Sequence, residues 1–336
     1  MGGGWYGCHI ASTLLNDGHD VRIKEASQAL LSGAGDKNQL RLHLGFHYLR
    51  SAETRRQSLH GFQKFKTEYP ELSSSIERNI YAVPSARSII DFETAKIILD
   101  GSGIPFQEIG NHEFEPILGI EGFLLSEERL VLPSRARRHF SDFLDGQVDF
   151  GEALESRDLE LLRNDFDLVV DATYSSRLTK LPDALFEATL IAEFTLDQDL
   201  GFGAMTLVDG PFWSIYPTET HGLMSLSHVE FSVLAQSEDE SEIDAFLAEP
   251  DERLIRTRLD EMARHVLETI PSLASSCSSI KPRFIAKKIK TSQSSSDRSV
   301  FVHREGNLAA IRAGKIDAIF SAQKEIEKII KEFQHQ

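Results

Sequence analysis

Gly2, Gly4 and Gly7 fit G-x-G-x-x-G, and this turn constrains the fold more than any other stretch of the chain. The first glycine permits a tight turn. The second lets backbone approach a phosphate with no Cβ in the way, and the third lets helix and strand pack closely. The segments that follow are in the right order. Cys8 to Leu15 reads as a helix, Gly18-His19-Asp20 closes it, Val21 to Lys24 reads as a strand, and Glu25 ends that strand. A helix N-terminus offers free N–H groups and partial positive charge to a pyrophosphate. An acid about twenty residues further on takes a ribose hydroxyl. A carboxylate there suits NAD or the adenosine of FAD and repels the 2′-phosphate of NADP. A strand of several apolar residues normally precedes the first glycine, and here only Met1 does. A mis-set start or a clipped chain explains this more simply than loss of a central strand. Natural loss would instead give a cofactor-poor, degenerate scaffold.

The rest of the chain alternates two textures. Residues 26–37 form a loop of small residues, followed by a block from Asn38 to Ser51. That block crowds His43, His47, Tyr48, Arg41 and Arg50 around Gly45. Residues 52–68 read as an amphipathic helix carrying Leu59, Phe62 and Phe65. Residues 76–83 read as a strand, and 91–100 as a helix capped by Asp91. Short strands fill 119–132. Pro133-Ser134 opens a helix whose first turns carry Arg135, Arg137 and Arg138. Cations oppose the helix dipole there, so either an anion lies nearby or the face is solvated. Strand pieces are expected at 148–150 and 153–155, and Phe166 to Thr173 reads as a buried parallel strand. Residues 185–235 switch to period-two alternation, the mark of an antiparallel sheet. The acids at 238–244 read as a solvated loop, 251–269 as an amphipathic helix, and 272–279 and 292–296 as serine-rich loops. Strands at 299–302 and 308–311 precede a helix from about Lys315 to Phe333.

Nucleotide-like segments thus sit at the start, middle and end, with a different texture between them. The expected architecture is α/β. A discontinuous nucleotide-binding domain takes residues 1–50, 130–180 and 285–336, and a substrate domain takes 51–129 and 181–284. A net charge of −16 argues against nucleic acid or an anionic membrane surface as partner. The two cysteines, Cys8 and Cys277, suggest neither a disulfide framework nor a metal site, and fit a reducing cytoplasm. No apolar run reaches the roughly 18 residues of a membrane span.

In this order, the Gly2–Gly7 turn, Glu25, the Asn38–Ser51 block, the strand Asp167-Leu168-Val169-Val170-Asp171-Ala172-Thr173 and the turn Ala313-Gly314-Lys315-Ile316 resemble the FAD-dependent oxidoreductases of the D-amino-acid oxidase superfamily. The resemblance spans nearly the whole chain. Locally, His43-x-Gly45-x-x-Tyr48 is similar to the segment beside the flavin in L-2-hydroxyglutarate dehydrogenase and flavin-linked glycerol-3-phosphate dehydrogenase. The resemblance implies a Rossmann-like FAD-binding domain with an inserted antiparallel α+β substrate domain. It implies that Gly2, Gly3, Gly4, Trp5, Tyr6 and Gly7 form the pyrophosphate turn, with Glu25 and Ala26 beside the adenosine ribose. Asn38, Gln39, Arg41 and Leu42 would pass near the flavin, and Leu154 would lie by the adenine. Ala172 and Thr173 would approach the dinucleotide, with Tyr174 standing where the family often has glycine. Gly314, Lys315 and Ile316 would open the last helix toward the flavin and stabilise its reduced form.

The implied reaction is transfer of a hydride to FAD from a C–H next to an amine or hydroxyl of a small molecule, with the electron acceptor left open. An NAD-dependent dehydrogenase is the alternative that Glu25 alone permits. His43, His47 and Tyr48 are the catalytic candidates, against a structural reading of each. Arg50 either binds a substrate carboxylate or forms a salt bridge. Trp213 and Tyr216 either wall the substrate pocket or pack in the core. Cys8 reads as packing. The His303-Arg304-Glu305 turn either reaches the site or is solvated.

Overall fold

A computed structural model describes residues 1–111, 116–174, 184–290, 300–312 and 314–334. The serine-rich loop at 292–296 and Ala313 lie outside the described residues. In chain order come α1 (Trp5–Asn16), β1 (Ile23–Glu25), β2 (Arg41–Leu42), α2 (Ala52–Glu68), β3 (Ser73–Ser75), β4 (Asn79–Pro84), α3 (Phe92–Gly101), β5 (Gln107–Ile109), β6 (Ile120–Ser126) and β7 (Arg129–Val131). The middle of the chain adds α4 (Pro133–Phe143), β8 (Val148–Phe150), α5 (Ser156–Asp165) and β9 (Val169–Asp171). Then follow β10 (Leu185–Thr195), β11 (Ala204–Leu207), β12 (Trp213–Pro217), β13 (Leu223–His228), β14 (Val233–Ser237), α6 (Glu240–Ala248) and α7 (Glu252–Thr269). The chain continues with α8 (Leu273–Ser276), β15 (Lys281–Lys290), β16 (Phe301–Glu305), β17 (Leu308–Arg312) and α9 (Ile319–Gln334).

Local chemistry sets the helix starts. Ser51 caps α2 by accepting the Thr54 N–H, and Asp91 caps α3 by accepting that of Thr94 at 2.8 Å. Pro133 occupies the first turn of α4, where its missing N–H costs nothing. The anion at that helix end is Glu219, from the β12–β13 turn, which accepts the Ser134 N–H. Arg137 instead reaches the Leu30 carbonyl and Asp36.

The first glycine turn lies between two short parallel pairs, β1 with β8 and β9 with β17. Met1 and Gly2 connect them. The Met1 ammonium donates to the Val170 carbonyl at 2.7 Å, and Ala172 N–H donates to the Met1 carbonyl at 3.0 Å. Gly2 N–H donates to the Lys24 carbonyl at 2.8 Å. These two residues therefore make ladder-like bonds to both sides of the gap between β1 and β9. α1 and α9 pack together through Ile10, Ile311, Ala322 and Ile326 against this layer.

The large sheet runs β14-β10-β13-β12-β11-β4-β6-β5, with β15 along the other edge of β10. One face carries α6 and α7 through Ile243, Ile255, Leu259, Met262 and Val266. The small sheet β2-β7-β3 links the two layers. No described helix is long and apolar enough to cross a membrane.

Several local expectations are corrected. Residues 153–155 are irregular chain, and Glu155 instead caps α5, a helix the sequence reading did not anticipate. The acids at 238–244 are not a loop: Asp239 caps α6, and Glu240 and Asp244 both bind Lys287, each at 2.6 Å. By contrast, the strands at 185–235 pair antiparallel with one another as expected, and the parallel pair of β11 with β4 joins them to the earlier strands. Residues 272–279 contain α8.

Candidate active site

One cavity of about 1160 Å³ is lined by the N-terminus of α1, the end of β1, the 38–50 segment, the end of β9, and residues 314–316. The inner face of the large sheet adds Ile191, Leu207, Ser227 and Ala286 to its wall. Its wall includes Gly2, Gly4, Trp5, Tyr6, Glu25, Ala26, Leu154, Ala172 and Thr173. Gly4 is the N-cap of α1, and no side chain caps that end. A Cβ built on Gly4 would meet nothing within 4 Å, so its backbone is bare to the cavity. Glu25 Oε2 accepts the Gly3 N–H at 2.6 Å and Oε1 accepts the Ser27 N–H at 2.8 Å. A carboxylate has about four acceptor positions, so two backbone bonds leave capacity for hydroxyls.

Gly3, Gly7 and Leu42 are placed away from the cavity wall. A Cβ on Gly7 would lie 1.9 Å from the Gly2 carbonyl oxygen, which is the close packing the third glycine allows. A Cβ on Gly3 would strike the Leu30 side chain at 2.5 Å, and Leu42 is fully buried. Tyr174, in the position where the family often has glycine, has φ +69°. This is the left-handed backbone that a glycine adopts without strain. Its hydroxyl accepts the Ile289 N–H at 3.3 Å.

The wall also includes Asn38, Gln39, Arg41, His43, His47, Tyr48, Gly314, Lys315 and Ile316. Gln39 anchors this segment to the large sheet, donating to the Ser214 carbonyl at 2.8 Å and accepting from the Ser227 hydroxyl at 2.9 Å. His43, His47 and Tyr48 form a ring cluster, with His43 5.4 Å from Tyr48 and 5.8 Å from His47 between centroids. The last helix opens as a single tight turn at Ile316–Ala318 rather than directly. Lys315 is buried: its Nζ donates to Ser58 at 2.9 Å, lies 3.4 Å from an Asp317 carboxylate oxygen and sits 4.7 Å over the Tyr48 ring. The Tyr6 hydroxyl donates to the Lys315 carbonyl, which ties this turn to α1.

Sequence reasoning missed a buried network behind His43. Glu128, in the β6–β7 turn, is fully buried. It accepts the Leu44 N–H at 2.8 Å and the Tyr81 hydroxyl at 2.7 Å. Arg41 lies 3.6 Å from the carboxylate, donates to Tyr81 at 2.6 Å, and stacks 4.2 Å over Tyr216. Burial by itself would raise the Glu128 pKa, but His43, Arg41 and the Tyr81 hydroxyl outweigh it and hold the carboxyl at about 2. No period or motif marks Glu128, because it stands in a turn and finds its partners only in three dimensions.

Of the remaining candidates, Arg50 lines the cavity together with Asp209, and the others are not part of its wall. Arg50 pairs with Asp209 at 2.6 Å, so the salt-bridge reading describes it. Trp213 and Tyr216 are core residues. Cys8 is buried, donates to the Gly3 carbonyl, and has its thiol pKa pushed up by burial. His303, Arg304 and Glu305 lie on β16, with Arg304 stacked over Phe333.

No family model matches the chain. A curated relative, the FAD-dependent monooxygenase FPY4 of Fusarium mangiferae, is 38% identical over 335 residues, covering 98% of this chain and 90% of that protein. The FAD-dependent monooxygenase kojA of Aspergillus flavus is 25% identical over an alignment of 376 residues, covering 99% and 85%. Among solved structures, glycine oxidase of Geobacillus kaustophilus superimposes with a TM-score of 0.63 at 12% identity, covering 95% of this chain and 89% of that one. The fold is thus that of the D-amino-acid oxidase-like flavoenzymes.

Proposed function

The chain belongs to the family of FAD-dependent enzymes that includes the Fusarium mangiferae monooxygenase, and we propose that the cavity running past Gly4, Glu25, His43 and Lys315 seats FAD and a small amine or alcohol together. The chain is an FAD-dependent oxidoreductase. The observation that carries it is the continuity of the cavity from Gly4 and Glu25 to His43, Tyr48 and Lys315.

The residues present fit FAD. Gly4 leaves a bare cradle at an uncapped helix N-terminus, suited to the pyrophosphate. Glu25 supplies the ribose acceptor, and Leu154 offers an apolar neighbour for the adenine. Arg41, Gln39 and the Gly314–Ile316 turn line the same cavity, and the isoalloxazine would lie against them. When bound, FAD supplies a two-electron acceptor for a C–H bond beside nitrogen or oxygen. The protein's part is to align that C–H bond and exclude water. Ile191, Leu207 and Ala286 give the substrate an apolar wall, and His43, His47 and Tyr48 give it polar partners. The inferred division places residues 1–50, 130–180 and the C-terminal segment around FAD, and the large sheet over the substrate. Because β15 pairs with β10, the last boundary is better drawn near residue 290 than at 285.

Rapid mixing of oxygen-free protein with a panel of small amines and alcohols tests the reading. Bleaching of the flavin absorbance by members of the panel is expected, and a panel that leaves it untouched would count against it. The names of the relatives motivate a second reading, in which an oxygen atom enters the product. Isotopically labelled dioxygen separates the two: label in the organic product supports the second, and label confined to reduced oxygen supports the first.

A further inference from the structure

We propose that Glu128 is a positioning residue for His43, a buried carboxylate that orients the imidazole and balances the charge it gains on taking a proton from substrate. The inference rests on the reading of the cavity as the substrate site. His43 lines that cavity with a side chain 18% exposed, whereas its Nδ1 is buried and makes no hydrogen bond. The nearest acid to that nitrogen is Glu128, whose Oε1 lies 3.7 Å away. This is longer than a hydrogen bond, and it leaves the Glu128 carboxylate as the acceptor next to a buried, unbonded Nδ1. Glu128 is itself fixed by the Leu44 N–H and the Tyr81 hydroxyl, so it presents a defined oxygen rather than a mobile one.

The charged and titratable groups around His43 come from several elements. Glu128 faces it from the β6–β7 turn, with Arg41 of β2 and Tyr81 of β4 behind the carboxylate. His47 and Tyr48 flank it on its own segment. Lys315 lies across the Tyr48 ring and is paired with Asp317. Arg41 and Glu128 form a buried pair already in place. A proton held by Nδ1 toward Glu128 leaves Nε2 as the nitrogen for the cavity, the same logic by which a buried carboxylate fixes the tautomer of a catalytic histidine. The proton concerned is the one on the substrate amine or hydroxyl. As that N–H or O–H bond breaks, an Nε2–H bond would form on His43, and FAD, when bound, would supply the acceptor for the hydride of the adjacent carbon. Glu128 then faces an imidazolium it can stabilise.

The test follows the His43 ring by NMR in flavin-loaded protein carrying labelled histidine, with His43→Asn identifying its signal. In Glu128→Gln the His43 titration midpoint is expected to fall by about one pH unit or more. Flavin bleaching by substrate should slow by roughly tenfold or more at neutral pH, with KM changed little. The double variant Glu128→Gln/His43→Asn should be no slower than His43→Asn alone, because Glu128 acts through that ring. Glu128→Asp keeps the charge beside Arg41 and withdraws it from His43, so it should shift the titration too, and it serves where Glu128→Gln does not fold. An unshifted His43 titration in either folded variant would overturn the proposal, as would a double variant showing the product of the two single losses. A shifted titration in a protein that no amine or alcohol reduces would uphold the pairing and sink the substrate reading, so the two failures are distinct.

Discussion

The Glu25 carboxylate accepts the Gly3 N–H at 2.6 Å, so the acid that ends β1 and the glycine turn that opens α1 form one unit. Its other oxygen holds the Ser27 N–H. Glu25 therefore shapes the turn as well as facing the cavity. Replacing it by alanine removes both roles, and replacing it by glutamine keeps an acceptor while removing charge.

Glu25→Ala is expected to weaken FAD binding by roughly 1.5 to 3 kcal/mol, the worth of a hydrogen bond to a charged group. Glu25→Gln should lose less and keep more of the wild-type stability. Fluorescence titration of apoprotein with FAD measures the first, and thermal melting the second. Unchanged affinity in Glu25→Ala would remove Glu25 from the ribose.

Lys315 and Asp317 are both buried and lie 3.4 Å apart. Lys315→Met strands the Asp317 carboxylate and should cost about 3 to 5 kcal/mol in urea unfolding. Adding Asp317→Asn should recover part of that loss. If the double variant is as unstable as the two single losses summed, the pair is not coupled.

His9 gives a pH dependence. Its Nδ1 lies 2.7 Å from the Tyr69 hydroxyl and its Nε2 2.8 Å from the Gln323 side-chain oxygen, a pattern that suits the neutral ring. Burial lowers its pKa to about 4, against a bond to Gln323 that opposes the shift. The unfolded chain therefore takes up this proton first as pH falls. The stability His9 contributes is complete above about pH 6.5 and is lost toward pH 4, a change of order 3 kcal/mol. His228, pulled to about 3 by burial and by His265, adds to the same slope. Urea unfolding across this range should show a steep fall in the wild type and a shallower one in His9→Gln. Parallel curves would assign the slope to other groups.

The N-terminal unit was legible because its signals are local. Gly2, Gly4, Gly7 and Glu25 fall at fixed spacing, and the α2 and α3 boundaries follow from apolar periodicity and the Asp91 cap. β9 was legible as a short apolar run ending in small residues. The features that escaped depend on distant pairing. β15 finds β10 across about a hundred residues of chain, and its lysines, two of them adjacent at 287 and 288, break the alternation that would mark a strand. Glu240 and Asp244 look like a solvated acidic run until Lys287 meets them. Glu128 is one acid in a turn, and its role rests on Tyr81, Arg41 and His43, none of which adjoins it in sequence.

FAD titration of Gly4→Asp tests whether FAD lies against the α1 N-terminus in this cavity. Gly4 has φ −77° and open space where a side chain would go, so aspartate fits without strain. Aspartate is also a favoured N-cap, so the melting temperature should hold or rise. Its carboxylate would project where the pyrophosphate is placed and repel it. The expected result is a folded, colourless protein whose affinity for FAD is down by about a hundredfold or more, a loss of roughly 2.7 kcal/mol. A Gly4→Asp protein that folds and binds FAD with wild-type stoichiometry and affinity would contradict the placement.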